Sequence, residues 1–312
     1  MLVTIVVSFS SGFVFLYNLV ALNQLTFLIK DFFNETYTRR AGGRPPSKQT
    51  VTGLWSLTST LFVPSGLIGA LLSGHLADRI GRIRTVVVSQ AFTVVGALLG
   101  TFCVVAAAPE LLMLSRVVVG IQSGIGVCIV PIAIAELAPA GVRGFLQGVG
   151  QAVSALGLLA SPILGLPPVL GRDRLWPYVI TLQLVSAAVA LPLLGVPETP
   201  HHLLLNRHAI GSRRVHAAAA VAAAAAEDED DGLKEVRHSL QYYRQRTDVE
   251  AELKEMVEDE RNGDGGEDVR QHFTVWRMLT DGTVRVPLIV ACVIQVRSRI
   301  AFPAIIVTVY DS

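Results

Sequence analysis

Six long apolar stretches constrain this chain more than any other feature of it. They run roughly over 3–29, 54–74, 86–107, 111–135, 145–166 and 177–196. A helix rises about 1.5 Å per residue, so about 20 apolar residues cross the hydrocarbon core of a bilayer. Asp, Glu and Lys are absent from these stretches, apart from Glu136 where the fourth closes; Arg116 is the one charge early in the fourth. The stretches are also rich in small residues, such as Gly66, Gly69, Ala70, Ser73 and Gly74, then Gly120, Gly124 and Gly126. Small residues let helix backbones approach closely in lipid, where no hydrophobic force drives helices together. Hydrophobic residues make up 51% of the chain and charged residues only 16%, against about 25% charged in an ordinary soluble domain. The expected fold is therefore all-α and transmembrane, with the lipid bilayer as partner. The net charge of +1 supplies no basic field for nucleic acid.

A seventh stretch, 286–309, is interrupted by Arg297 and Arg299. Each mid-span arginine costs about 2.5–3.5 kcal/mol on insertion scales, so this segment is a candidate, degraded span only. The first stretch lacks a basic n-region and a cleavage site before Asn34, and reads as a retained helix. Residues 30–53 read as a polar outer loop and 75–85 as a short basic inner loop. With the long polar insert 197–285 placed in the cytoplasm, the N-terminus is cytoplasmic too. The inner loops then hold ten Lys/Arg near the spans and the outer loops seven, which agrees with positive residues staying inside. The sequon Asn34-Glu35-Thr36 falls on the outer side, where glycan addition occurs.

The insert contains a low-complexity Ala/acidic tract, 216–231, then an amphipathic helical pattern over 233–260 with Leu240, Val249, Leu253, Met256 and Val257 among charges. It reads as surface helices at the membrane face. The domains expected are a six-span bundle (1–196), a cytoplasmic helical linker (197–285) and the candidate seventh span (286–312). No catalytic or metal site is expected: there is no phosphate loop, nucleophile motif or zinc spacing, Glu227–Asp231 lacks the form of a calcium loop, and Cys103, Cys128 and Cys292 lie in apolar runs. No cofactor is expected. His201, His202 and His208 read as a solvated helix start.

The most specific stretch is Gly74-His-Leu-Ala-Asp78-Arg79-Ile-Gly81-Arg82-Ile-Arg84-Thr85. Gly81 permits a tight reversal between two helices, and Asp78 can pair with nearby arginines. The plainer alternative is a basic loop that only sets topology. The pattern resembles the loop 2–3 signature of the major facilitator superfamily. Other pieces resemble its sugar-porter branch, within it the facilitative glucose/fructose transporters of the solute carrier 2 type. They are Phe15-Leu-Tyr17-Asn18, Phe32-Phe-Asn34-Glu-Thr36-Tyr, Leu54-Trp55-Ser56, Ser115-Arg116 to Gly120, Val130-Pro131 through Glu136-Leu-Ala-Pro139, Val142-Arg143-Gly144, Gln151, Leu175-Trp176-Pro177 and Pro197-Glu198-Thr199-Pro200. They keep order and spacing over residues 1 to about 208.

That resemblance implies two six-helix bundles joined by an intracellular helical domain, each bundle built from inverted repeats. This chain then supplies the N-terminal bundle and the insert, with the C-terminal bundle absent and needed from elsewhere, which suggests a truncated or incomplete form. It implies that Gln151 contacts a sugar, although an interhelical hydrogen bond would also suit it. Asp78, Arg82, Glu136, Arg143 and Glu198 would form an ionic gate at the inner face. Arg116, Gly81 and Trp176 would be structural. His201 stands where the family usually has Arg, which would make one corner of that gate pH-sensitive. Gln295-Val-Arg297-Ser-Arg299 replaces the family's sugar-binding glutamine pair. The implied function is facilitative hexose transport by alternating access, at the plasma membrane. Alternatives are a proton-coupled symporter, against which Asn18 stands where those carry Asp, and a non-transporting half that only binds or regulates. A seven-span receptor fits the span count but not the loop signature.

Overall fold

The computed structural model describes residues 1–172, 175–204, 222–244 and 248–263. It divides into two units, Met1–Lys254 and Glu255–Ser312. The candidate seventh span and the run from Gln295 lie outside the described residues, as does His208.

Every regular element among the described residues is helical. Six helices are long and apolar enough to cross a membrane: α1 (Leu2–Val20), α3 (Lys48–Ile80), α4 (Arg82–Val105), α5 (Pro109–Leu137), α6 (Arg143–Leu164) and α7 (Trp176–Gly195). A shorter helix, α2 (Thr26–Arg40), follows α1. The insert contributes α8 (Ala222–Arg244) and α9 (Glu250–Gly263).

Two boundaries differ from the sequence reading. The first span stops at Val20 rather than near residue 29, and the supposed outer loop begins with α2. Residues 20–29 are apolar for a different reason: Leu22, Leu25, Ile29 and Phe33 are buried in a second core with Val51, Leu112, Trp176 and Ile180. The second span starts earlier, at Lys48, where the Ser47 hydroxyl accepts from the Thr50 amide at 3.1 Å and caps the helix.

Inside and outside are arranged as lipid demands. Val63, Leu67 and Leu71 on α3, Val95 and Phe102 on α4, and Leu156, Leu159 and Ile163 on α6 are exposed, whereas Ser89, Gln90, Thr93, Gln122, Ser123 and Ser161 are buried. In water this would leave apolar faces of α3, α4 and α6 uncovered; in a bilayer the same faces meet acyl chains. The α5 helix is central and packs on both α3 and α4. Contact with α3 is backbone-close: a Cβ on Gly124 would strike the Gly66 carbonyl, and one on Gly69 would strike Ile121. The α1 helix widens into a π-turn over Ser8–Phe13. Gln90 of α4 donates to the Ser10 carbonyl there at 3.1 Å, so a polar side chain serves backbone that the irregular turn leaves available.

Candidate functional site

The charged residues at one end of the bundle converge on Gly81. It ends α3 and starts α4 at φ 98°, a conformation glycine adopts without steric cost. Its missing side chain matters equally: a Cβ there would collide with the Glu198 carboxylate. Glu198 accepts from the amides of Ile83 at 2.7 Å and Arg84 at 3.1 Å, the unpaired N–H groups of the first turn of α4. A carboxylate is favoured there by those donors and by the helix dipole.

Arg82, the next residue, is 8% exposed and is held from three sides. Its Nε donates to Glu136 at the end of α5 at 3.0 Å, its Nη1 donates to the Ala77 carbonyl at 3.3 Å, and Nη1 lies 2.8 Å from His202 Nδ1. Glu136 uses its other oxygen to accept from the Thr199 hydroxyl at 2.7 Å. The segment after α7 is thus tied to both the α3–α4 corner and the end of α5. Helix α8 lies on the same segment: Ser239 donates to the Glu198 carbonyl at 2.6 Å, and Tyr243 donates to the Pro197 carbonyl. Arg244 donates to the Leu137 carbonyl at 2.8 Å and pairs with Glu252. Burial, then the Glu198 charge, then Tyr242, push the Tyr243 hydroxyl well above its usual pKa.

The sequence-assigned residues do not all join this cluster. Arg82, Glu136 and Glu198 do. Asp78 is exposed at the rim, 3.8 Å from Arg82. Arg143 is exposed at the start of α6 and makes no ion pair among the described residues, so the partner of Glu136 is Arg82 and not Arg143. The histidine reading needs the larger correction. His201 is exposed, but His202 is 5% exposed and faces Arg82, so it is no part of a solvated helix start. Burial first, and then the Arg82 charge, hold its pKa below the ordinary histidine value, against the pull of Glu198, Glu136 and Asp78. His202, Thr199, Ser239 and Tyr243 carry no motif. Only the amphipathic period of the insert hinted that one face of α8 docks.

A second polar group lies within the spans. Arg116 of α5 donates to the Asn18 side-chain oxygen at 3.2 Å and to the Asn18 carbonyl at 2.7 Å, and its guanidinium stacks 4.8 Å from the Phe62 ring centre. Asn18 in turn donates to Gln183 of α7 at 2.9 Å. Gln183 was not anticipated from the sequence, where it is a lone amide in an apolar stretch.

Gln151 sits on the exposed side of α6 and makes no hydrogen bond among the described residues. At roughly 100° per residue it falls on the edge between the buried face, at Leu146, Gly150 and Ser154, and the apolar outer stripe. One turn earlier on the same flank, Gln147 donates to the Pro131 carbonyl of α5 at 2.7 Å. Trp176 is 2% exposed and packs its ring 5.8 Å from Phe32, fixing α2 against the start of α7. Asn34 is exposed on α2, whereas Thr36 of the same sequon is buried.

The sequence matches the sugar (and other) transporter family over residues 3–298. The chain belongs to that family. Within it, solute carrier family 2, facilitated glucose transporter member 9 of Homo sapiens is 36% identical over 202 residues, 64% of this chain and 37% of that protein. Member 5 of Mus musculus is 31% identical over 301 residues, 96% of this chain and 54% of that protein. The chain spans 37% to 54% of the length of these two curated relatives. Among solved structures, the major facilitator superfamily proton:xylose symporter XylE bound to 6-bromo-6-deoxy-D-glucose superposes with a TM-score of 0.66 at 17% identity, over 89% of this chain and 55% of that one. The inward open xylose transporter XylE from E. coli gives 0.61 at 18% identity, over 88% and 57%. At such identity the likeness establishes the fold alone, that of the major facilitator superfamily, and the family membership rests on the sequence match.

Proposed function

We propose that this sugar porter contributes the N-terminal bundle to facilitative hexose transport by alternating access, with residues 1–196 as the bundle and 197–285 as a cytoplasmic helical linker. The observation that carries the reading is the interlocked cluster of Arg82, Glu136 and Glu198 at one end of the bundle. It ties three spans together through charged hydrogen bonds. Such pairs add little net stability because desolvation offsets attraction, which suits an element that must form and release. The cluster end faces the cytoplasm in this reading, the protein sits in the plasma membrane, and Asn34 faces outward as a glycan acceptor. Gln151, which makes no hydrogen bond among the described residues, offers an amide to a sugar hydroxyl at the surface that a second bundle would cover.

Uniport is favoured over proton coupling by the second polar group. Asn18 occupies the place beside Arg116 where coupled relatives carry an aspartate, and an amide does not titrate. The test is hexose uptake into proteoliposomes holding this chain together with a chain that supplies a second six-helix bundle. Saturable uptake insensitive to a proton gradient is expected from the pair, and none from this chain alone. Saturable uptake by the chain alone defeats the half-bundle reading, and strong gradient dependence defeats uniport.

A further inference from the structure

We propose that His202 makes the docking of the insert helix α8 onto the inner end of the bundle proton-sensitive: the dock holds while His202 is neutral and loosens when it is protonated. This does not rest on transport of any sugar.

Arg82 has donors only. His202 Nδ1, 2.8 Å from Arg82 Nη1, must therefore be the acceptor, and the imidazole must be neutral with its proton on Nε2. A proton added at Nδ1 replaces that hydrogen bond with two cationic donors face to face in a site where His202 is 5% exposed and Arg82 is 8% exposed. Of the two, Arg82 is the better anchored, through Glu136 and the Ala77 carbonyl. His202 is the one to move.

Movement of His202 is transmitted by its own segment. His202 lies four residues from Glu198, and the carbonyls of Pro197 and Glu198 are the acceptors for Tyr243 and Ser239 of α8. Val236 and Leu240 complete the buried face of that helix. Displacing residues 197–204 removes two polar anchors of α8 at once and leaves Arg244 on the Leu137 carbonyl to hold its end.

The surroundings decide the sign. Among the described residues, the charged or titratable groups facing His202 are Arg82 at the start of α4, Asp78 at the end of α3, Glu136 at the end of α5 and Glu198 on its own segment. On α8, Tyr243 lies against Pro197. The three carboxylates favour the imidazolium; burial and Arg82 oppose it and prevail. Once the segment swings out, both opposing influences vanish and His202 regains ordinary basicity. Acid therefore favours the undocked arrangement, and the dock is fully present above the free histidine value of about 6.5.

The experiment is hydrogen–deuterium exchange by mass spectrometry on the full chain in nanodiscs, from pH 7.5 to 5.5, with His202→Asn beside the wild type at each pH so that intrinsic exchange rates cancel. Asn keeps an acceptor near Nδ1 and does not titrate. Equal protection of residues 233–244 is expected at pH 7.5. At pH 5.5 the wild type is expected to lose up to about tenfold in protection relative to the variant, since linkage allows one factor of ten per pH unit. Wild type and variant tracking each other throughout would overturn the proposal. Should His202→Asn fail to fold, exchange at the histidine C2 position of the wild type, resolved by fragmentation, decides: His202 must titrate below the free histidine value of about 6.5, and titration at that value rejects the idea.

Discussion

Arg82 and Arg116 are both buried, at 8% and 4% exposure, and they are treated in opposite ways. Arg82 lies at the end of the bundle and is met by a carboxylate, Glu136, with Asp78 and Glu198 nearby. Arg116 lies within a span and is met by an amide, a carbonyl and an aromatic face. The end of a bundle borders water, so a carboxylate partner can be hydrated when the pair opens, and the cluster can exist in two states. In the span no such relief exists. Neutral dipoles and a ring hold the guanidinium without a second ion to desolvate. In the proposed transport cycle Arg82 is the arginine that switches and Arg116 the one that stays.

Removing the carboxylate from the switching arginine gives the largest expected effect. Glu136→Ala leaves Arg82 without its buried ion pair and Thr199 without its acceptor. Breaking a buried pair costs about 3–5 kcal/mol, read as a lowered midpoint of thermal unfolding in detergent. Gly81→Ala follows, at about 1–3 kcal/mol for a side chain forced into the left-handed region, and more if Glu198 is displaced from the α4 amides. An unchanged midpoint would mean that Glu198 is not held as described. Asn18→Ala probes the static arginine and is expected to cost about 1 kcal/mol, since interhelical hydrogen bonds in membranes average about 0.6 with a maximum near 1.7. A loss as large as that of Glu136→Ala would erase the contrast between the two sites.

The pH dependence sharpens the same comparison. The folded state holds the His202 pKa below its unfolded value, so its contribution is fully present above about 6.5 and declines as pH falls through the folded value. The unfolding midpoint of the wild type should fall on acidification below that point more steeply than that of His202→Asn. The smallest effect belongs to the exposed pair Arg39–Glu35 on α2, one turn apart. Arg39→Ala should change stability by no more than about 0.5 kcal/mol.

Much of this was legible in the sequence because it depends on local composition. Spans cross a bilayer by length and hydropathy, and Gly81 follows from the need for a left-handed residue between two helices. The small residues of α3 and α5 announce close packing, although not which pairs meet. The readings that failed depended on what lies across the chain. The end of the first span was blurred because the apolar face of α2 continues the run of α1. The resemblance placed Arg143 in the ionic gate with Glu136, while the fold leaves Arg143 exposed and brings Arg82 to Glu136 from 54 residues away. His202 resembled its solvated neighbour until α4 and the segment after α7 were brought together.

Composition and periodicity alone thus determined that six segments among the described residues are long and apolar enough to cross a bilayer and that charge is kept out of them, because the cost of placing polar groups in lipid is paid residue by residue. Which charge meets which, and which histidine is neutral and buried, was decided only by tertiary structure, because a hydrogen bond of 2.8 Å between residues 120 positions apart has no local signature.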